Sequence, residues 1–209
     1  YSDITIFSFH PVKIITTGEG GMALTNQEEL ADKMMILRTH GITRDAAKMS
    51  QNDGPWYYQQ LALGFNYRMT DIQAALGITQ CERLESYVAK RNEIAHFYHK
   101  ALSGLSLKTP EIQKNSYSSY HLYIIRLDLD KISSSHHDVF VTLRDSGIGV
   151  NLHYIPIHLH PYYENLGFRK GDFPNAESFY SEAISIPMFP TISDESMKEV
   201  VSKLELALS

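Results

Sequence analysis

Lys13 stands in Ser8-Phe9-His10-Pro11-Val12-Lys13, on a loop leaving a short apolar run that contains Ile4, Ile6 and Phe7. The turn Thr16-Thr17-Gly18-Glu19-Gly20-Gly21 follows at once. A lysine at a strand end, five residues after a serine and beside a glycine-rich turn, suits Schiff-base chemistry. Its amine can form an imine with an aldehyde cofactor while the serine hydroxyl meets a phosphate. The competing reading is a solvated surface lysine next to a tight turn whose glycines supply positive φ.

Other chemistries find less support. No Gly-x-Gly-x-x-Gly opens a helix after a strand, so a dinucleotide fold is not indicated. Lys13 precedes the glycines of Gly18-Glu19-Gly20-Gly21, the wrong order for a phosphate-binding Walker loop. The ten histidines include His153, His158 and His160 close together and the adjacent His136-His137. Yet no His-x-x-x-His falls on a helical pattern, one cysteine cannot build a thiolate site, and Pro156 and Pro161 interrupt the segment holding the three. Imidazole and aromatic groups beside a sugar or base are the better use of Pro156 to Tyr163. Cys81 falls on a helical pattern with no adjacent base, which predicts a buried, inert thiol.

The elements that must position these residues follow from pattern. Residues 4–9 and 20–25 read as two short strands around the Lys13 loop. Asn26-Gln27-Glu28-Glu29 has capping-box spacing with Asn26 as N-cap, and Leu30, Met34 and Leu37 then give an apolar stripe that ends at His40-Gly41. From Ile42 to Trp56 the pattern is lost, in a polar loop with the turn signal Asn52-Asp53-Gly54-Pro55. Thr70-Asp71-Ile72-Gln73 is a second capping box. The helix it opens places Ile72, Leu76, Leu84, Val88 and Ile94 at core spacing. That stretch is too long for one ordinary helix, which predicts a break near Gly77 to Glu82. Strands are expected over 120–127, 148–154 and 185–188, and helices over 138–144, 174–183 and 193–206. Mixed strands and helices indicate an α/β or α+β chain with two lobes.

Composition bounds the partners. The chain has 209 residues, 43% hydrophobic and 21% charged, with a formal net charge of −5. That is an ordinary globular composition. No basic stripe is present, so nucleic acid and acidic membrane surfaces are not expected as partners. One cysteine excludes an intrachain disulfide framework and suits a reducing cytosol, and no apolar run reaches spanning length. The chain opens on Tyr1-Ser2-Asp3 and enters a strand at once, which suggests a fragment or a processed chain.

Taken together, several motifs resemble one family. Ser8-Phe9-His10-x-x-Lys13, then Gly18-Glu19-Gly20-Gly21 and Leu24-Thr25-Asn26, resemble the lysine segment of the DegT/DnrJ/EryC1 aminotransferases. Leu37-Arg38-x-His40-Gly41, Gly64-x-Asn66-Tyr67-Arg68-Met69-Thr70-Asp71-Ile72-Gln73-Ala74-Ala75 and Ser119-Tyr120-His121-Leu122-Tyr123 fit the same family in the same order. His10 to Thr17, Trp56-Tyr57-Tyr58 and His153-Tyr154-Ile155-Pro156-Ile157 look like its pseudaminic acid branch.

The resemblance implies the α/β C-terminal portion of a fold-type I, pyridoxal-phosphate-dependent transferase. Residues 1–81 would be the end of the large cofactor-binding domain and 82–209 the small α+β domain. Lys13 would be the Schiff-base and acid–base residue, with Ser8 on the cofactor phosphate. Asn66 would reach the phosphate of a neighbouring subunit's cofactor in a homodimer. Arg68, His153, Tyr154 and His158 would serve the substrate. That substrate would be a UDP-linked 4-keto-6-deoxy-N-acetylhexosamine, aminated at C4 with glutamate as donor, in the cytoplasm. Lysine rather than histidine at position 13 favours transamination over the family's sugar dehydration. In family members about half the chain lies upstream of this lysine, including an aspartate for the pyridine nitrogen that has no counterpart here. The chain alone is therefore expected to be inactive, its hairpin to expose apolar surface, and its small lobe to fold by itself. A non-catalytic nucleotide-sugar-binding or assembly module, or a family dehydratase, is the alternative.

Overall fold

The Lys13 loop joins an antiparallel hairpin. Strand β1 (Thr5–Ser8) pairs with β2 (Gly21–Leu24), with Thr5 opposite Leu24 and Ser8 opposite Gly21. Helix α1 (Glu28–Leu37) follows. Its N-cap is Gln27 without a side-chain cap bond, so the expected Asn26 cap does not form. Gln27 instead donates to the Asp3 carboxylate at 2.7 Å, fastening the helix start to the foot of the hairpin. The irregular stretch after α1 is pinched at its ends by two short strands, β3 (Ile42–Thr43) and β4 (Gln59–Gln60). Helix α2 (Asp71–Cys81) opens on the predicted capping box and stops at Glu82–Arg83, where the break was expected.

The computed structural model describes residues 2–209, and contacts divide the chain into two units, Tyr1–Leu84 and Glu85–Ser209. Among the described residues every buried hydrophobic side chain lies in the second unit. In the first, only Thr17, Gly41 and Thr43 are buried. Both faces of the hairpin are open, with Ile6 71% and Phe7 46% exposed, as expected for strands without sheet neighbours. The apolar stripe of α2 also differs from its predicted role. Ile72 is 85% exposed and Leu76 40%, because this unit offers no apolar layer for them to pack against. Cys81 is likewise exposed rather than buried.

The second unit has a core of its own. Helix α3 (Leu84–Ala101) buries Val88, Arg91, Ile94, Ala95 and Tyr98, the i, i+3, i+4, i+7 spacing of one face. Strands β5 (Leu107–Lys108), β6 (Tyr123–Leu127) and β7 (Ala183–Ile186) form an antiparallel sheet in that order. On β6, Tyr123, Ile125 and Leu127 are buried while Ile124 and Arg126 alternate outward, the period-2 pattern of a sheet covered on one face. Helices α4 (His136–Asp145) and α7 (Asp194–Leu208) add Val139, Leu143 and Leu204 to the same cluster. Helix α4 starts on a Ser135–Asp138 capping box. Helices α5 (Pro161–Glu164) and α6 (Pro174–Glu182) both begin with proline, whose missing N–H costs nothing in a first turn.

The strand expected over 148–154 does not form. The Val150 N–H bonds the Ile148 carbonyl at 2.8 Å and the Leu152 N–H bonds the Asn151 side chain, so the backbone curls. Among the described residues of this segment, only Asn151 pairs its backbone with β7, in an isolated bridge to Ser185. Arg91 is 5% exposed and has no carboxylate partner among the described residues. Its Nη1 donates to the carbonyls of Tyr120 (2.9 Å), His121 (3.2 Å) and Met188 (3.0 Å), tying α3 to the segments entering β6 and leaving β7. Burial lowers its pKa from the ordinary arginine value. No helix among the described residues is long and apolar enough to cross a membrane.

Candidate active site

The hairpin closes the Lys13 loop with backbone bonds beyond the strands. Phe9 N–H donates to the Gly20 carbonyl (2.9 Å) and Thr17 N–H to the Phe9 carbonyl (3.0 Å). Thr16 Oγ1 adds a second donor to Phe9 at 2.9 Å. Inside this closure, Lys13 N–H bonds the His10 carbonyl at 2.9 Å and places the lysine on a turn. Its side chain is half-buried, and its amine makes no hydrogen bond or ion pair among the described residues. Ser8 is exposed at the end of β1, with its Oγ 3.5 Å from the His10 N–H.

Thr17 seats the loop on α2. It is 4% exposed, and its Oγ1 donates to the Glu19 carbonyl at 2.6 Å. The Gln73 side-chain amide donates to the same carbonyl at 2.9 Å. A Cβ on Gly20 would lie 2.2 Å from Thr17 Oγ1, and one on Gly77 would lie 2.9 Å from Thr17 Cγ2. Glycine at both positions lets loop and helix close around this threonine. Thr17 and Gln73 were not singled out for the site from sequence. Gln73 shows there in the capping box and in the family motif, without a site role, and its contact with Glu19 spans 54 positions.

Asn66 and Arg68 lie on another segment of this unit. The chain from Leu61 to Tyr67 runs along the end of α1 and the turn beyond it. Phe65 N–H bonds the Leu37 carbonyl (2.7 Å), His40 N–H the Phe65 carbonyl (2.8 Å) and Tyr67 N–H the Arg38 carbonyl (2.9 Å). Asn66 forms an isolated bridge with Thr39. Two motifs that are separate in sequence, Arg38-x-His40-Gly41 and Gly64-x-Asn66-Tyr67-Arg68, are thus one backbone structure. Asn66 and Arg68 are both exposed. Among the described residues no hydrogen bond joins this segment directly to the Lys13 loop; α2, which follows it, makes that link through Gln73.

The second unit holds His153, Tyr154 and His158. The His153 ring lies 2.7 Å from Ser185 Oγ through Nδ1, beside a cleft of about 470 Å³ that is also lined by Asn151, Phe189 and Glu199. Tyr154 is 71% exposed, edge-on to His153 at 4.6 Å between ring centres. His158 is placed differently from its expected role. It is 7% exposed, with Nε2 2.8 Å from the Glu177 carboxylate and its ring against Phe173. Glu177 also accepts the Gly171 N–H at 2.7 Å. First His158 and then this N–H hold the Glu177 carboxyl below the usual carboxylate range. In this unit His158 fastens the 157–177 segment and presents no open imidazole face.

The DegT/DnrJ/EryC1/StrS aminotransferase family model matches residues 1–205. The chain belongs to this family. One curated relative is the UDP-4-amino-4,6-dideoxy-N-acetyl-beta-L-altrosamine transaminase of Campylobacter jejuni, 39% identical over 187 residues. The match covers 89% of this chain and 47% of that protein. Among solved structures, the PMP form of the putative sugar aminotransferase Spr1654 from Streptococcus pneumoniae aligns with a TM-score of 0.89 at 32% identity. It covers 99% of this chain and 53% of that one. Helicobacter pylori PseC, an aminotransferase involved in the biosynthesis of pseudoaminic acid, aligns with a TM-score of 0.89 at 28% identity, covering all of this chain and 54% of its own. The chain spans about half the length of the curated relatives it matches.

The family's cofactor is pyridoxal phosphate. The residues present fit part of what that group needs. A primary amine without a competing partner among the described residues sits on a hydrogen-bonded loop, and a serine hydroxyl stands at the adjacent strand end. An aldehyde and a phosphate require this donor set. The fold is accordingly the C-terminal portion of a pyridoxal-phosphate-dependent transferase.

Proposed function

We propose that this chain is the lysine-bearing part of a nucleotide-sugar aminotransferase, acting on a UDP-linked 4-keto-6-deoxy-N-acetylhexosamine with glutamate as amino donor. The uncommitted Lys13 amine on its braced loop carries this reading, in a chain that matches the aminotransferase family almost from end to end. Similarity to the Campylobacter jejuni transaminase and to PseC supports the substrate class.

Lys13 would hold the cofactor's aldehyde carbon through Nζ, and Ser8 would donate its hydroxyl to the phosphate. Bound pyridoxal phosphate supplies the electron sink that stabilises a carbanion at the reacting carbon. The Lys13 amine would also move the proton at that carbon as acid and base, a task that a carboxylate partner would oppose by holding the amine charged. Residues 1–81 would belong to the large domain and 82–209 to the small one. Asn66 would contribute to the phosphate site of a second subunit, and the exposed Phe65 and Tyr67 beside it suit a surface covered in a homodimer. Arg68 in the first unit and His153, Tyr154 and His158 in the second would serve the nucleotide-sugar substrate.

The test is to incubate the complete protein with pyridoxal phosphate, glutamate and the UDP-4-keto sugar, and to look for the UDP-amino sugar by mass spectrometry. Its formation is expected. Recovery of unreacted or dehydrated sugar alone would reject the reading.

A further inference from the structure

We propose that Gln73 is a positioning residue for the Lys13 amine, and that this is why the third helical position of α2 carries glutamine. The inference rests on the reading of Lys13 as the covalent anchor. Gln73 does two jobs with one amide. Its Oε1 accepts from Thr70 N–H (2.9 Å) and Thr70 Oγ1 (3.0 Å), the reciprocal half of the capping box. Its Nε2 donates to the Glu19 carbonyl at 2.9 Å.

Glutamate serves a capping box as well as glutamine does. Only glutamine has the N–H that reaches Glu19. The Glu19 carbonyl also takes the Thr17 hydroxyl, and Thr17 N–H bonds Phe9, at the base of the Lys13 loop. The N-terminus of α2 is therefore coupled to the lysine loop through a single backbone carbonyl with two donors. Beyond the hairpin's own bonds and the fit of Thr17 against Gly77, the loop has no apolar support, since the unit buries no hydrophobic side chain among the described residues.

Gln73→Glu separates the two jobs, because its carboxylate keeps the cap and cannot donate to Glu19. The variant and the native chain are compared in amide hydrogen exchange, in far-ultraviolet circular dichroism, and in labelling by pyridoxal phosphate followed by borohydride reduction. In the labelling arm the other lysines serve as internal standards. Helix content should be unchanged. Exchange at the Phe9 and Thr17 amides should quicken by about 3- to 10-fold, the effect of one lost hydrogen bond on local opening. The share of label on Lys13 should fall by about half or more, as the loosened loop no longer presents its amine in one place.

Unchanged exchange and an unchanged Lys13 share would show that Gln73 is a helix cap only, and would overturn the proposal. If native Lys13 labels no better than exposed lysines, the anchor reading fails, and the exchange result alone decides whether Gln73 ties the loop. Should Gln73→Glu lose helix, Thr70→Ala is the control, because it removes the hydroxyl cap and leaves the Gln73–Glu19 bond. A Lys13 share that falls with Gln73→Glu and not with Thr70→Ala supports the tie, and an equal fall in both overturns it.

Discussion

Replacing Gly64 with alanine should release Asn66 from its place. The new Cβ would lie 2.1 Å from the Gly41 nitrogen, 2.5 Å from the His40 carbonyl carbon and 2.7 Å from the Leu37 oxygen. All three are backbone atoms, so no side chain can swing aside. Ordinary carbon contacts begin near 3.4 Å, so the two backbones must separate by about 1.3 Å. The bonds Phe65–Leu37, His40–Phe65, Tyr67–Arg38 and Leu61–Gly41 span 2.7 to 2.9 Å. Stretched by that much they pass beyond hydrogen-bonding distance. At roughly 1 kcal/mol net for each, the segment loses about 3–4 kcal/mol. Every 1.4 kcal/mol is tenfold in an equilibrium, so local opening should rise by about two to three orders of magnitude. Amide hydrogen exchange reads this at His40, Phe65 and Tyr67, with the Phe9 and Thr17 amides as an internal comparison. Exchange at the three amides within threefold of the native chain would refute the steric reasoning.

Arg91→Met keeps the aliphatic stem but leaves the Tyr120, His121 and Met188 carbonyls without their donor. Relief from burying a cation offsets part of that loss, so a cost of about 2–3 kcal/mol is expected, read as a fall in melting temperature of about 5–10 °C; an unchanged Tm would contradict it. The depressed Glu177 carboxyl gives the second unit stability that is complete above the ordinary glutamate pKa. This contribution disappears as pH falls through the lower folded value. Thermal melts of Glu177→Gln should therefore lose less stability on acidification than the native chain does, and parallel acid profiles would show that the His158–Glu177 pair contributes nothing.

Local signals survived into the structure wherever the neighbouring chain sufficed to satisfy them. The Thr70–Gln73 capping box, the helix expected over 138–144, the proline-led α6 and the strand expected over 120–127 each depend on contacts that nearby residues supply. Asn26 failed as a cap because Gln27 found a partner in Asp3, 24 positions away. The 148–154 segment reads as β-like from its apolar residues, yet its backbone N–H groups turn back on Ile148 and on the Asn151 side chain. Ile72 and Leu76 have core periodicity, but periodicity identifies an apolar face and not what covers it. For the site, residue type and local spacing marked Lys13 and Ser8. The docking of Asn66 on the α1 terminus and the Glu19 carbonyl shared by Thr17 and Gln73 are long-range contacts that no local pattern encodes.

The central claim is that Lys13 is the amine that holds pyridoxal phosphate. The complete protein, treated with pyridoxal phosphate, reduced with borohydride and digested, tests it most directly. The account predicts a phosphopyridoxyl group on the peptide containing Lys13, with labelling there well above that of the other lysines, and the loss of this preferred site in Lys13→Ala. Preferential labelling of a different lysine in the native protein, with Lys13 unmodified, would contradict it.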